Sequence, residues 1–148
     1  MPIDRTQTIG RISNIEKVVR QGRKLSMTEQ EIINDFFRKY VDRGFKTTIN
    51  AVKLNPGHTE EHKRTIFEAC NSLLNNGIPF WTEVRLKCGR IPDIVAPTHV
   101  TPFIEILSSE TVEDFRTTKG PTYETMGVPI KSVKLIETTP IWDEKCLF

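Results

Sequence analysis

The sequence predicts a mixed α/β domain in which helices flank a small, partly antiparallel sheet. Three observations predict it. Two stretches carry apolar residues at helical spacing, each opened by a capping residue. Two short alternating runs, Phe80 to Leu86 and Ile91 to Val95, are joined by a four-residue turn. A third run, FIEIL, is followed by a short helix and one more β-rich segment.

Taken in order, residues 11–21 suit a short helix with Ile12, Ile15, Val18 and Val19 on one side, ended by Gly22. Ser26 and Glu29 have the spacing of a capping box. Ile32, Ile33, Phe36, Phe37, Tyr40 and Val41 then recur at helical spacing, with Gly44 as a C-terminal cap. Residues 45–54 suit a strand or an extended connector, and Asn55, Pro56 and Gly57 a turn. Thr59 caps a further helix, with Glu60 and Glu61 where the helix dipole favours acids, and with Ile66, Phe67, Ala69, Cys70, Leu73 and Leu74 as its apolar face. Asn75, Asn76 and Gly77 stop it. Lys87, Cys88, Gly89 and Arg90 form the hairpin turn, Pro97 to Pro102 a loop, and Phe103 to Leu107 a strand. Residues from about Glu110 to Thr118 form a helix stopped by Gly120 and Pro121, and Ile130 to Ile136 is a last strand.

The 148 residues suffice for one domain with a real core. It divides into an N-terminal helical extension with a basic arm (1–54), a core (55–136) and a tail (137–148). Apolar residues make up 37% and charged residues 27%, which excludes a disordered chain, and no apolar run approaches the ~20 residues of a membrane span. MPIDRTQTIG lacks a secretory pattern, so the expected location is the cytoplasm. The three cysteines lack CxxC spacing and read as reduced thiols, Cys70 as core. The net charge is only +2, but residues 1–24 concentrate Arg5, Arg11, Lys17, Arg20, Arg23 and Lys24 against Asp4 and Glu16. This is either an arm that neutralises phosphates or a solvated tail.

Chemistry concentrates in GRIPDIVAPTHVTPFIEIL. Alternation puts Ile91, Asp93 and Val95 on one strand face, and Phe103, Glu105 and Leu107 on one face of the next. Carboxylates from neighbouring strands can share a hard cation such as Mg²⁺, which orients and acidifies water and offsets charge on a phosphodiester. This segment resembles the PD-(D/E)xK nuclease superfamily, which includes many restriction enzymes and archaeal Holliday-junction resolvases, over roughly residues 59 to 136. The stretch beginning TEEHKRTIFEAC also looks like the opening of archaeal and viral members.

The resemblance implies a restriction-endonuclease-like fold and a metal-dependent DNA endonuclease, acting on branched or structured DNA as a homodimer, with no small-molecule substrate. Mg²⁺ or Mn²⁺ would be held by Asp93, Glu105 and the Ile106 carbonyl, with Glu61 as the helix acid near the site. The family's lysine position is occupied by Leu107. Lys119 is the natural replacement and Arg116 the second choice; the alternative is a site that has lost activity, leaving a DNA-binding or assembly module. Glu61 falls on the far side of an ideal helix whose positions 66, 70 and 73 face inward, whereas Thr59 and His62 face inward. Lys87, Arg90, Arg116, Arg20, Arg23 and Lys24 are the expected phosphate contacts, and RNA is an alternative substrate. His58 and His62 are four apart and could share a metal, but the sequence offers no evident third ligand; His62 reads as a partly buried packing or hydrogen-bonding residue. His99 reads as surface. Tyr123 and Trp142 read as core or interface, and the helix from Ile32 to Val41 either covers the sheet or forms the dimer contact.

Overall fold

The computed structural model describes residues 24–42 and 48–148. The helix expected over 11–21, the Gly44 cap, and both Arg20 and Arg23 lie outside the described residues. Helix α1 (Met27–Tyr40) opens with the expected capping box: Ser26 Oγ accepts from the Glu29 N–H at 3.1 Å, and Glu29 Oε1 accepts from the Ser26 N–H at 3.0 Å. Helix α2 (Glu60–Asn75) opens on Thr59, whose hydroxyl accepts from the His62 N–H, and gives way to Gly77 at φ 69°. Strands β1 (Ile94–Val95) and β2 (Phe103–Leu107) pair antiparallel. Helices α3 (Val112–Thr118) and α4 (Gly120–Glu124) then carry the chain across to β3 (Val133–Glu137), which pairs parallel to β2. A parallel neighbour requires such a crossover.

The described residues thus form a mixed α/β structure with a three-stranded sheet in the order β1-β2-β3. Its two faces are covered differently. Ile94, Ile104, Ile106 and Ile136 meet Ile66, Ala69, Cys70 and Leu73 of α2. Val95, Phe103, Leu107 and Val133 meet Ile33, Phe36 and Phe37 of α1, with Phe115 of α3 and Tyr123 of α4. Phe36 lies 5.1 Å from Phe103 between ring centroids, and Phe37 meets Trp81 edge-on at 4.8 Å. Each such fully buried apolar side chain stabilises by about 1.5–3 kcal/mol. The apolar face of α1 is therefore spent on covering the sheet.

Several expected strands fall short of their sequence pattern, and Ile91 to Val95 is strand only at Ile94–Val95. Phe80 to Leu86 pairs through isolated bridges only, Trp81 with Val95 of β1 and Leu86 with Val41 at the end of α1. Glu83, at φ 60°, interrupts the run, because the left-handed region breaks the pleat. Trp81 and Arg85, which strict alternation would put on one face, part company: Trp81 is fully buried while Arg85 is exposed. Residues 48–54 form no strand, although Asn50 fastens them to Phe80 by backbone and side-chain bonds. The last strand begins at Val133 because Ile130–Ser132 forms a 3₁₀ turn. The tail docks on α2, where the Trp142 indole donates to Ser72 Oγ at 2.9 Å. Among the described residues no helix is long and apolar enough to cross a membrane.

Candidate metal centre and the clamped carboxylate

Asp93 and Glu105 stand at neighbouring positions of the β1–β2 hairpin, yet different elements hold them. Extending the pairing of Ile94 with Ile104 by one residue sets Asp93 opposite Glu105. Asp93, however, lies in a bend just before β1, and its carboxylate works toward α2. Asp93 Oδ2 accepts from the Ile106 backbone N–H at 2.7 Å, and Oδ1 lies 3.4 Å from His62 Nε2. Simple strand alternation placed Asp93 on the Glu105 face; the bend turns it to the α2 side.

Glu105 points the other way. One oxygen, Oε2, accepts from Arg90 Nε at 2.8 Å and from the Tyr123 hydroxyl at 2.6 Å. Burial pushes the Glu105 carboxyl above its ordinary range. Arg90 and Tyr123 pull it back, and the charge of Asp93 adds to the push. Burial and the Glu105 charge raise the Tyr123 hydroxyl, so it stays a neutral donor. Arg90 is held as a cation by Glu105 against the opposing effect of burial, and its guanidinium lies 5.4 Å from the centre of the Phe115 ring. Arg90, expected at the surface for phosphates, is thus a half-buried counter-ion: hairpin closure, with Leu86 N–H donating to the Arg90 carbonyl at 2.8 Å, turns it inward.

The remaining expected site residues are dispersed. Leu107 is buried in the core. Lys119 caps the end of α3 and pairs with Glu110 at 2.6 Å, its ammonium 5.5 Å from the Phe115 centroid. Arg116 is exposed on α3. Lys87 is exposed and donates to the Arg38 carbonyl, and Lys24 is exposed beside α1. Glu61 is exposed, as helix geometry required, and the residue of α2 that approaches Asp93 is His62. The Ile106 side chain is buried, and its N–H orients Asp93. His99 is a correction: it is buried, because its loop folds back so that Nδ1 accepts from the Thr101 N–H and the ring meets Phe148.

Sequence reasoning missed a triad. His58, His62 and Asp93 each bring one potential ligand atom, and these lie within 4.8 Å of one another. The rings of His58 and His62 stack at 4.0 Å. The spacing of the two histidines was legible, but only the hairpin brings Asp93 to them, and no local signal announces that.

Comparison with family models, with curated proteins and with solved structures gave no match.

Proposed function

We propose that this chain is a metal-dependent nuclease of the restriction-endonuclease-like class, acting on DNA, with Asp93 as the central cation ligand. The observation that carries the proposal is the placement of Asp93. It sits at the mouth of an antiparallel hairpin, one oxygen fixed by the Ile106 N–H and the other left toward α2, with a 13% exposed side chain. A helix with acids in its first turn, the short β1 just after Pro92 and Asp93, β2 bearing Glu105, a helical crossover and the parallel β3 follow in the order the resemblance implies, without the strand expected over Phe80 to Leu86.

The oxygen-only donor set implied by that resemblance does not fit as it stands. A Mg²⁺ ion between Asp93 and Glu105 needs free carboxylate oxygens. Glu105 is 3% exposed, two donors already occupy Oε2, and the carboxylate turns toward Arg90 and Tyr123 while Asp93 turns toward α2, so only Oε1 remains for an ion. Within this chain Asp93 can hold a cation, the Ile106 N–H can fix its orientation, and Glu105 acts on the neighbouring Arg90 and Tyr123. Of the cations expected to meet phosphates, Lys24, Lys87 and Arg116 are exposed.

One observation favours a second proposal, a nucleic-acid-binding module without catalysis. Lys119, which would replace the lysine missing at Leu107, has its ammonium on Glu110, and the cation beside Glu105 is Arg90. The test is incubation of the full chain with labelled duplex, single-stranded and four-way-junction DNA, in Mg²⁺, Mn²⁺ or EDTA, beside Asp93→Ala and Lys119→Ala. Cutting that needs metal and disappears in Asp93→Ala supports the nuclease. Binding without cutting supports the module. Cutting that persists in Asp93→Ala overturns the proposed centre.

A further inference from the structure

We propose that His58, His62 and Asp93 form a binding site for a divalent transition metal such as Zn²⁺, Co²⁺ or Mn²⁺, on the α2 side of Asp93. It goes beyond the nuclease proposal and shares only Asp93 with it.

The first argument is the distance between His62 and Asp93. An N···O separation of 3.4 Å is long for a charge-assisted hydrogen bond, which runs at about 2.7–2.9 Å. Around a four-coordinate ion with ligands at about 2.0–2.1 Å, neighbouring ligand atoms stand about 3.4 Å apart. The pair is therefore spaced for an ion between the atoms.

The second argument is what holds each ligand from behind. Metal-bound imidazoles characteristically use their other ring nitrogen on a fixed partner, which sets the tautomer and the ring plane. His62 Nδ1 lies 2.5 Å from Ser108 Oγ, at the end of β2. With the Nδ1 hydrogen donated to Ser108, the lone pair of Nε2 faces Asp93. In that tautomer a shared cation satisfies both the lone pair and the carboxylate oxygen; in the other, Ser108 donates to Nδ1 and the Nε2–H donates to Asp93. Asp93 is fixed in the same way, by the Ile106 N–H on its other oxygen.

The third argument is His58. Its Nδ1 is buried and has no hydrogen-bond partner among the described residues. Burying an imidazole nitrogen unsatisfied costs about 1–3 kcal/mol. Its ring lies against that of His62, so small ring rotations bring a second nitrogen to the same point. His58 precedes the Thr59 cap and sits in a bend rather than within the helix, so it is free to make that adjustment. The ligand atoms span up to 4.8 Å, and the widest pair must close by about 1.4 Å to reach tetrahedral spacing.

Ligand chemistry selects the metal class. Two imidazoles with one carboxylate suit Zn²⁺, Co²⁺, Fe²⁺ or Mn²⁺, whereas Mg²⁺ takes oxygen. Side-chain exposures of 11% for His62 and 13% for Asp93 leave the site mostly buried with a narrow approach from solvent, and three protein ligands leave a fourth position for water or a phosphate oxygen.

The test uses the full chain, free of nucleic acid, titrated with Co²⁺ at neutral pH and followed by visible absorption, with Zn²⁺ as competitor. The expected result is saturation at one Co²⁺ per chain, displaced by Zn²⁺. His58→Ala and Asp93→Asn should each weaken it at least about tenfold, the lower end of the loss that follows removal of even a group that only supports a ligand. Glu105→Gln should leave it within about twofold, because that carboxylate takes no part. Circular dichroism on each variant verifies folding, and His58→Ala, which removes no hydrogen bond, remains decisive if Asp93→Asn unfolds. Binding that is absent, or is indifferent to His58→Ala, overturns the site. Stoichiometric Co²⁺ binding in a chain that cuts no nucleic acid keeps the site and removes the nuclease. Cutting in Mg²⁺ that survives His58→Ala, with no Co²⁺ bound by wild type, does the reverse.

Discussion

Replacing Arg90 by Leu should strand the Glu105 charge in the core. Glu105 is 3% exposed, and its counter-ion is the Arg90 guanidinium at 2.8 Å. Removing one partner of a buried ion pair costs about 3–5 kcal/mol. Because 23% of the Arg90 side chain stays in water, the lower end applies, about 3 kcal/mol. With a slope of about 2 kcal/mol per molar urea, the unfolding midpoint at pH 8 should fall by about 1.5 M.

The cost should depend on pH, and the sign can be worked out. Burial raises the Glu105 carboxyl in the folded state above its unfolded value of 4.5, and losing Arg90 raises it further. A raised carboxyl binds its proton more tightly when folded. Its stabilising contribution is present below the unfolded pKa and is lost as pH rises through the folded one. The deficit of Arg90→Leu should therefore grow from acid toward pH 8. The double variant Arg90→Leu with Glu105→Gln removes the stranded charge while still accepting from Tyr123, and it should regain more than half of the loss. A deficit of equal size at pH 5 and pH 8, or a double variant less stable than the single one, would refute the clamp.

Other expectations are simpler. Ser26→Ala removes the capping hydroxyl of α1 and should cost about 1 kcal/mol in urea unfolding. Burial holds the His99 imidazole below its ordinary range, so its contribution is present above the unfolded value of 6.5 and is lost as pH falls. His99→Gln should flatten the stability profile between about pH 7 and 5.5, read by urea midpoints. The Cys70 thiol is pushed up to about 12, first by burial and then by the charge of Asp93. Cys70 should resist a thiol reagent at pH 8 in the native chain and react once denatured, as peptide mapping of the labelled site can show.

Much of the architecture was legible because it is written locally. The α1 capping box, the Thr59 cap, the FIEIL strand and the stop at Gly77 each follow from residues within a turn of one another. What failed was local as well, but contrary to its pattern. Phe80 to Leu86 alternates like a strand, yet Glu83 adopts a left-handed conformation that alternation cannot reveal. Both acids stand where the hairpin sets them, but their orientation depends on a bend at Asp93 and on partners far along the chain. Arg90 was expected to meet phosphates because turns are exposed; the buried acid of β2 drew it inward. His62 was assigned to the inner face of α2 from helix periodicity, and that was correct. Its link to Asp93 is tertiary, and no spacing in the sequence encodes it.

The most direct measurement is the position of a bound cation. Crystals soaked in Mn²⁺ or Zn²⁺, with data collected at the absorption edge of the metal, locate it without any assay of cutting. The account predicts one anomalous peak on the α2 side of Asp93, within about 2.0–2.2 Å of Asp93 and both imidazoles, with Glu105 still bound to Arg90 and Tyr123. A peak bridging Asp93 and Glu105 with Arg90 displaced, or no peak at Asp93, would contradict it.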